Sequence, residues 1–423
     1  MEVRDNQYQM YIKILQDELV PAFGCTEPIA LAYAAATARH YLGDFPQYVK
    51  AELSGNIIKN VKSVIVPNTD GMCGVEAALA AGIVAGQADK KLEAIEEISP
   101  EIIEHIKEYM DMTKFSVQLA ETNHILDIGI TAYKDDEYVK VRIVDEHTNI
   151  VLIEKNKEIL LSKEETDTSE NTVDRSALNI KSIIEFADIV DIEDVKDILD
   201  RQINYNMAIA EEGMQNNYGA NIGKTLIQCY GDDVKIKARA YAAAASDARM
   251  NGCSLPVVIC SGSGNQGITA SVPVIVYAKE LKISMDRLYR ALIVSNLSTI
   301  HQKSGIGKLS AYCGAVSAGC GSGAGIAYLL GGGYAEIAHT LVNSLATVSG
   351  IICDGAKASC AAKISSAVDA GILGYQMYLQ GNQFFAGDGI VTKGIEANIR
   401  NVGLLAREGM RETDKEILQI MTK

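Results

Sequence analysis

The spacing of hydrophobic and polar residues predicts helices followed by strands over the first part of the chain. Thr26 is a candidate helix cap, and Pro28 lies in the first turn of the helix predicted after it. Alternating patterns such as YVKVRIV, at residues 138–144, are typical of strands. Helices are predicted at residues 6–20, 27–42, 74–88 and about 99–111, and strands near residues 115–120, 125–133, 138–145 and 149–154.

Two other stretches interrupt this order. Residues 49–66 also indicate β-structure, which is broken at residues 54–56 and followed by a turn at residues 67–71. Residues 161–175 are polar and charged without periodicity, so we interpret them as a linker.

From about residue 177 onward the pattern is mostly helical, with a short apolar strand candidate at Leu255–Cys260. The patterns together predict an α+β fold in which a mainly helical domain is interrupted by a smaller α+β domain. The predicted divisions are a helical domain of residues 1–92 and 176–423, an inserted domain of residues 93–160, and a linker of residues 161–175.

Composition narrows the possible functions. A chain of 423 residues can bury a large core. Aromatic residues are scarce, with no Trp and six Phe, whereas Ala and Gly are abundant. Interiors of small residues let backbones approach closely, which favours tightly packed helices. The net charge of −15 argues against nucleic acid or an anionic membrane as a partner, because both bind basic surfaces.

The sequence indicates a cytoplasmic protein. The first residues, MEVRDNQYQMYIKILQDEL, carry charges throughout and lack the apolar run of a signal peptide. Residues 268–278 are apolar but too short to span a membrane, which takes about 20 residues. Nine scattered cysteines do not resemble the disulfide framework of a secreted domain, so we expect core thiols, metal ligands or catalytic groups.

Three cysteines in the last third of the chain form a candidate metal site. Cys353 and Cys360 lie in ICDGAKASCAAK, where an Asp-Gly pair predicts a tight turn before a helix. With Cys313 brought in by the fold, three thiolates could hold an iron–sulfur cluster and leave one iron open to substrate. Cys320 is an alternative ligand, and each thiol taken alone is typical of an ordinary buried cysteine.

Cys25 lies in PAFGCTEP, directly before a predicted helix start. The free backbone N–H groups and the helix dipole favour anions there, which suits a reactive thiolate or a substrate carboxylate near Thr26 and Glu27. The alternative is a buried cysteine beside a helix cap. Asn56, in SGNIIKN, is either a further loop contact or part of a turn.

The loop SGSGNQG at residues 261–267 follows the strand candidate and opens an apolar helix. It contains the glycine spacing of a dinucleotide-binding loop, but no second strand with an acidic residue about 20 positions later supports that function. A simpler interpretation is that its N–H groups and the side chains of Ser263 and Asn265 bind a small carboxylate. A rival is the S-x-G-N-x-G loop of pyridoxal-phosphate dehydratases, with Lys235 or Lys237 as the Schiff-base lysine.

The six histidines lack the spacing of a zinc hydrolase. His301 is the candidate among them for an acid–base or substrate-contact role, because it lies in IHQKSGIGKLSAYCG shortly before Cys313.

Together these segments resemble the L-cysteine desulfidase family, which is related to the iron–sulfur L-serine dehydratase alpha chains. The resemblance implies an oxygen-sensitive [4Fe–4S] enzyme that converts L-cysteine to pyruvate, ammonia and hydrogen sulfide without pyridoxal phosphate. It is carried, in order and over nearly the whole chain, by PAFGCTEP (21–28), SGN (54–56), NTDGMCG (68–74), SGSGNQG (261–267), IHQKSGIGKLSAYCG (300–314) and CDGAKASC (353–360).

The resemblance also implies roles for individual residues. Cys313, Cys353 and Cys360 match the cluster ligands. Cys25 matches a family motif cysteine that is either a further ligand or, as we place it with His301, a member of the catalytic group. The residues expected to bind the substrate are Thr26, Glu27, Asn56, Ser263 and Asn265.

Other functions stay open at this point. They are an L-serine dehydratase of the same iron–sulfur type, a pyridoxal-phosphate amino-acid lyase, and a non-catalytic iron–sulfur or amino-acid-binding regulator. A small amino acid is the expected partner, and a homodimer is the default expectation for the assembly.

Overall fold

The chain folds into two packed regions, each with its own hydrophobic core. We call residues 26–162 the sheet region and residues 2–23 with 177–422 the helical region. The computed structural model describes residues 2–24, 26–96, 98–122, 124, 126–163, 175, 177–307 and 310–422.

Helix α1 (Glu2–Glu18) and the short strand β1 (Pro21–Phe23) come first and belong to the helical region. The sheet region follows, with its strands bracketed by helices. Its elements are α2 (Thr26–Leu42), β2 (Tyr48–Leu53), α3 (Gly55–Val61), α4 (Val75–Ala85), α5 (Pro100–Met112), β3 (Lys114–Leu119), β4 (Asp127–Lys134), β5 (Glu137–Val144), β6 (Ile150–Lys155) and β7 (Glu158–Ser162).

The rest of the helical region contains one described strand between its helices. Its elements are α6 (Ile180–Ile189), α7 (Lys196–Gln215), α8 (Ile222–Tyr230), α9 (Val234–Met250), β8 (Pro256–Val258), α10 (Gly264–Glu280), α11 (Met285–Ser304), α12 (Gly314–Leu329), α13 (Tyr334–Val348), α14 (Cys360–Leu379), α15 (Ile395–Leu404) and α16 (Arg411–Thr422).

The sheet has the strand order β3-β2-β4-β5-β6-β7 among the described residues. β2 and β3 are parallel, and the other neighbours are antiparallel. Alternate side chains of β5, at Val139, Val141 and Ile143, are fully buried, as period-two patterning requires. α2 packs against β4 and β5 and closes this face.

The predicted fold class is confirmed, and the four strands predicted between residues 115 and 154 lie within two residues of their expected ends. The prediction of β-structure beyond residue 56 is wrong. That segment is α3, because Ile57, Ile58 and Val61 recur at helical spacing and bury one face. β7 was not predicted.

The predicted domain boundary between residues 92 and 93 stays a prediction. Elements on both sides of it share one core: α2, β2 and α4 pack with the strands that follow. Most of the predicted linker at residues 161–175 lies outside the described residues.

The helical region is packed backbone to backbone. A Cβ added to Gly319 of α12 would lie 2.5 Å from the Ala367 carbonyl carbon of α14. At Gly323, one turn later, it would lie 2.7 Å from the Gly371 Cα. Small residues therefore set the approach of these helices, in agreement with the composition.

Two contacts join distant parts of the chain. β1 pairs with β8 in an antiparallel two-stranded sheet, which places the start of α2 near the loop before α10. α16 packs on α3, where the buried Lys59 ammonium is paired with Asp414. No helix among the described residues is long and apolar enough to cross a membrane.

Candidate active site

A cavity of about 120 Å³ lies at the junction of the two regions. Residues at the start of α2 and in α3 form its wall on the side of the sheet region, and loops and helix starts of the helical region form the rest. The three cysteines predicted as cluster ligands line it together: Cys313, Cys353 and Cys360.

A short backbone pairing brings Cys313 and Cys353 side by side. The Cys313 N–H donates to the Ile351 carbonyl at 3.1 Å, and the Cys353 N–H donates to the Ala311 carbonyl at 2.6 Å. Cys360 is the first residue of α14. The two cysteines of the CDGAKASC segment therefore meet Cys313 through pairing with a segment 40 residues earlier in the chain.

Gly355 shapes the turn between Cys353 and Cys360. Its φ of +94° lies in the left-handed region, where a side chain is strained. A Cβ at this position would lie 2.1 Å from the carbonyl oxygen of Lys59. Only glycine therefore lets this turn lie against α3.

Hydrogen bonding, burial and nearby lysines shift the pKa values of the three thiols. Cys313 donates a hydrogen bond to Cys353, which lowers the pKa of Cys353 and raises the pKa of Cys313. The ammonium groups of Lys59 and Lys363 lower the pKa of Cys353 further, against the effect of burial. Burial raises the pKa of the Cys360 thiol. The site thus stabilises a thiolate at Cys353.

Four helices of the described chain begin at the cavity. Their first turns contribute Glu27 of α2, Asn265 of α10, Ala315 of α12 and Cys360 of α14 to the lining. Helix N-termini present free N–H groups and the positive end of the dipole, so they favour anions. This cavity suits thiolates and carboxylates although the chain as a whole carries a charge of −15.

Thr26 and Glu27, both predicted to bind substrate, line the cavity. The Thr26 hydroxyl donates to Glu27 Oε2 at 3.2 Å, and the Asn60 amide donates to Glu27 Oε1 at 3.1 Å. Asn56, predicted with them, does not line this cavity. It lies one turn before Asn60 on the same face of α3, and Asn60 is the residue that lines the cavity.

Ser263 and Asn265 also line the cavity, as predicted from their glycine-rich loop. Ser263 is the N-cap residue of α10, and backbone hydrogen bonds in both directions join it to Cys260. The Ser246 hydroxyl donates to Asn265 Oδ1 at 3.2 Å. These contacts fix the loop against α9.

Arg249, Gln266 and Lys303 are among the polar lining residues that sequence reasoning missed. Lys303 is 5% exposed, and burial lowers its pKa, although Cys353 and Cys313 act in the opposite direction. It follows His301 by two residues, so the motif contained it. Arg249 is the next-to-last residue of the alanine-rich segment YAAAASDARM, where a charge in an apolar helix was the available signal.

The other predicted or alternative site residues lie elsewhere. Cys25 is outside the described residues. His301 does not line the cavity, and its Nε2 lies 2.6 Å from Glu396 Oε2. Cys320 is fully buried in α12 away from the lining, and burial raises its pKa to about 12. Lys235 and Lys237, the rival Schiff-base candidates, face solvent on α9 instead of the cavity.

Comparison with known proteins identifies the family. Residues 89–419, more than three quarters of the chain, match the model of the serine dehydratase alpha chain. The chain belongs to this family.

Full-length relatives agree with the match. The chain is 61% identical over 422 residues to a UPF0597 protein of Desulfitobacterium hafniense, covering 100% of this chain and 98% of the relative. It is 52% identical over 414 residues to a UPF0597 protein of Lachnoclostridium phytofermentans, with 98% and 99% covered. A UPF0597 protein of Treponema denticola is 48% identical over 430 residues, with 100% of both chains covered.

Membership of the serine dehydratase alpha chain family places the chain among iron–sulfur lyases of the serine dehydratase type. The cavity fits such a group, since three thiols line it beside the buried cation of Lys303. Within the described part of the chain, no three His, Cys, Asp or Glu side chains converge on a single metal ion. A cluster does not require this, because its thiolates bind different irons.

Proposed function

We propose that the protein is an iron–sulfur-dependent L-cysteine desulfidase, which converts L-cysteine to pyruvate, ammonia and hydrogen sulfide. One observation carries the proposal: Cys313, Cys353 and Cys360 line a single cavity at which helix N-termini also meet. The cavity thus combines the donor set of a cluster with a field that favours an amino-acid carboxylate.

The three cysteines would hold a [4Fe–4S] cluster. When bound, the cluster supplies an open iron that acts as a Lewis acid on the substrate sulfur. The ammonium groups of Lys303 and Lys59 place positive charge beside the thiolates. Lysines of the chain itself therefore offset the negative charge of the thiolates.

The remaining steps belong to side chains and backbone. The start of α2 and the Ser263–Asn265 loop bind the substrate carboxylate. A base removes the Cα proton while the Cβ–S bond breaks and the sulfur leaves as sulfide. In our proposal Cys25 is this base, and Thr26, the next residue, lines the cavity. The released aminoacrylate then hydrolyses to pyruvate and ammonia.

L-Serine dehydration is the second candidate, because the family match is to a serine dehydratase alpha chain. The same groups serve both eliminations, with hydroxide instead of sulfide as the leaving group. The two substrates differ only in the atom that leaves.

Anaerobic purification with iron and sulfide analysis tests the cofactor. We expect brown protein with about four irons per chain, as a [4Fe–4S] cluster requires. Ser in place of Cys313, Cys353 or Cys360 should remove the cluster, whereas Cys320→Ser, the matched control, should keep it. A cluster that survives Cys360→Ser and is lost in Cys320→Ser contradicts the ligand set.

Substrate and base are tested on the same preparation. Sulfide and pyruvate release from L-cysteine should exceed pyruvate release from L-serine; the reverse order favours the second candidate. Cys25→Ala should keep the cluster and bind L-cysteine but stop exchange of the Cα hydrogen with solvent. Loss of the cluster in Cys25→Ala contradicts its assignment as the base.

A further inference from the structure

Arg249 is a buried cation at the cavity. It lies in the last turn of α9 and is 5% exposed. Its Nε is buried without a hydrogen-bond partner, and no carboxylate among the described residues pairs with its guanidinium. Buried charges are ordinarily paired, because an unpaired charge in an apolar interior is strongly unfavourable. An anion that enters the cavity would supply such a partner.

Gln266 is a second polar side chain of the lining with an unsatisfied hydrogen-bonding atom. It is 5% exposed, and its Oε1 is buried without a partner among the described residues. A carbonyl oxygen only accepts hydrogen bonds, so its missing partner is a donor. Among the described lining residues, Arg249 thus lacks an anion and Gln266 Oε1 lacks a donor.

Two glycines make room for these side chains. A Cβ on Gly264, the first residue of α10, would lie 2.3 Å from Arg249 Nε. A Cβ on Gly314, the first residue of α12, would lie 2.6 Å from Gln266 Cδ. Two of the four helix starts at the cavity, those of α10 and α12, therefore carry no side chain where Arg249 and Gln266 lie.

We propose that Arg249 binds the α-carboxylate of the substrate and that the Gln266 carbonyl oxygen binds its α-ammonium group. This inference rests on the proposed function and names its substrate class: an α-amino acid with both groups free. A guanidinium matches a carboxylate with two parallel N–H···O bonds. The Arg249 guanidinium lies at the start of α10, where the helix dipole also favours an anion.

The other charged groups among the described lining residues interact with protein groups. Glu27, the carboxylate among the described lining residues, accepts hydrogen bonds from Thr26 and Asn60. Lys59 and Lys363 act on the thiolate of Cys353. Arg249 thus remains to bind the substrate. It adds a positive charge to the hydrogen-bond donors that the Ser263–Asn265 loop offers to the carboxylate.

Three small ligands that carry a thiol test the Arg249 and Gln266 contacts separately. They are L-cysteine, 3-mercaptopropionate, which lacks the amine, and cysteamine, which lacks the carboxylate. Their binding to the anaerobic holoenzyme is measured by calorimetry, together with KM and kcat for L-cysteine. In Arg249→Gln we expect KM for L-cysteine and Kd for 3-mercaptopropionate to rise roughly 10- to 100-fold, with cysteamine binding unchanged. In Gln266→Met the pattern reverses: cysteamine weakens roughly 10-fold and 3-mercaptopropionate does not.

Matched variants separate anchoring from a structural role. Arg249→Lys keeps the charge and should recover part of the affinity for 3-mercaptopropionate. Gly264→Ala should weaken the same ligand by displacing the guanidinium. Arg239→Gln removes another arginine of α9, which pairs with Asp369 at 3.2 Å outside the cavity, and should change none of the three affinities.

Equal weakening of all three thiols in Arg249→Gln overturns the proposal, as does unchanged binding of 3-mercaptopropionate. Loss of iron from Arg249→Gln overturns it too, because Arg249 would then serve the cluster. Failure of the proposed function is seen separately: the wild-type protein would release neither sulfide nor pyruvate from an amino acid, whatever the variants bind.

Discussion

The β-sheet and the helix pair α12–α14 fill the space between their elements in different ways. The sheet region uses branched side chains, such as Ile128, Ile130 and Val141, between its strands and α2. The helical region brings backbones into contact at Gly319 and Gly371. Branched side chains fill space that a smaller residue leaves empty, whereas contacting backbones leave no space to adjust. α12, whose N-cap residue is Cys313, and α14, which begins at Cys360, are therefore held closely together, as a pre-organised site requires.

The largest effect is expected from volume added to the helical region. A Cβ on Gly371 would lie 2.3 Å from the Gly319 carbonyl oxygen, so Gly371→Val must separate α12 from α14. We expect the free energy of unfolding to fall by more than about 4 kcal/mol, or no folded protein. Gly350→Val, with open space around the position, is the control and should lose less than about 1 kcal/mol. Urea denaturation measures both; a small loss in Gly371→Val refutes the tight packing.

A truncation in the sheet region should have a smaller effect. Ile130 of β4 is fully buried, and Ile130→Ala leaves a cavity that the strands can partly close. The expected loss is about 3 kcal/mol, with the cysteine cavity intact. Ile159→Ala on β7, where the side chain is 61% exposed, should change stability little. If Ile130→Ala abolishes folding while Gly371→Val is tolerated, the comparison of the two regions is reversed.

The sequence predicted the strands of the sheet better than it predicted which helix packs against α12. Alternating residues such as Val139 and Val141 predicted their strand because one face of it is buried. Glycines in α12 indicated close packing, but they did not indicate which helix lies opposite, since any backbone fits against glycine. The partner of α12 is set by contacts between Gly319 and Ala367, which only the folded chain brings together.

The candidate site shows the same limit. The sequence grouped Cys313, Cys353 and Cys360, as well as Ser263 and Asn265, because each lies in a recognisable motif. Arg249 lies in no such motif, and its importance comes from burial without a partner, a property of the fold alone. Asn56 was chosen where Asn60 faces the cavity, because a helical phase cannot be read from a segment interpreted as a strand.

The junction between the regions should respond at an intermediate level. Asp414→Ala leaves the Lys59 ammonium, whose side chain is 2% exposed, without its carboxylate. The expected loss of unfolding free energy is about 2 kcal/mol, less than for a fully buried pair because Asp414 is 29% exposed. Glu412→Ala on the same helix removes an exposed ion pair with Lys415 and should cost less than about 0.5 kcal/mol. Equal effects of the two variants would mean that α16 contributes nothing specific to the junction.

The smallest effect concerns acid stability within the helical region. Burial raises the pKa of Glu396, but the hydrogen bonds from His301 and the Ile180 N–H outweigh it, so the pKa is lowered. A carboxyl with a lowered pKa stabilises the fold above its unfolded pKa and loses this contribution as the pH falls through its folded pKa. Compared with wild type, Glu396→Gln should lose about 1 kcal/mol at pH 7, discounted for partial exposure, and the difference should vanish in acid.

Denaturation of the cluster-free protein at pH 7 and at lower pH checks this. Glu185→Gln provides the control, because Glu185 is exposed on α6 and pairs with Lys181 only at 4.0 Å. A difference between wild type and Glu396→Gln that grows in acid contradicts the assignment.

The pairing of β1 with β8 has a consequence for how the protein is made. The cavity lining runs from Thr26 to Ile364, and the Lys59–Asp414 contact closes over a separation of 355 residues. Loops of this length close late, after the local helices and hairpins have formed. A ribosome must therefore release nearly the entire chain before the thiols, the glycine-rich loop and the start of α2 can meet. If the proposed cluster binds there, insertion of its iron and sulfide is a maturation step on a finished polypeptide.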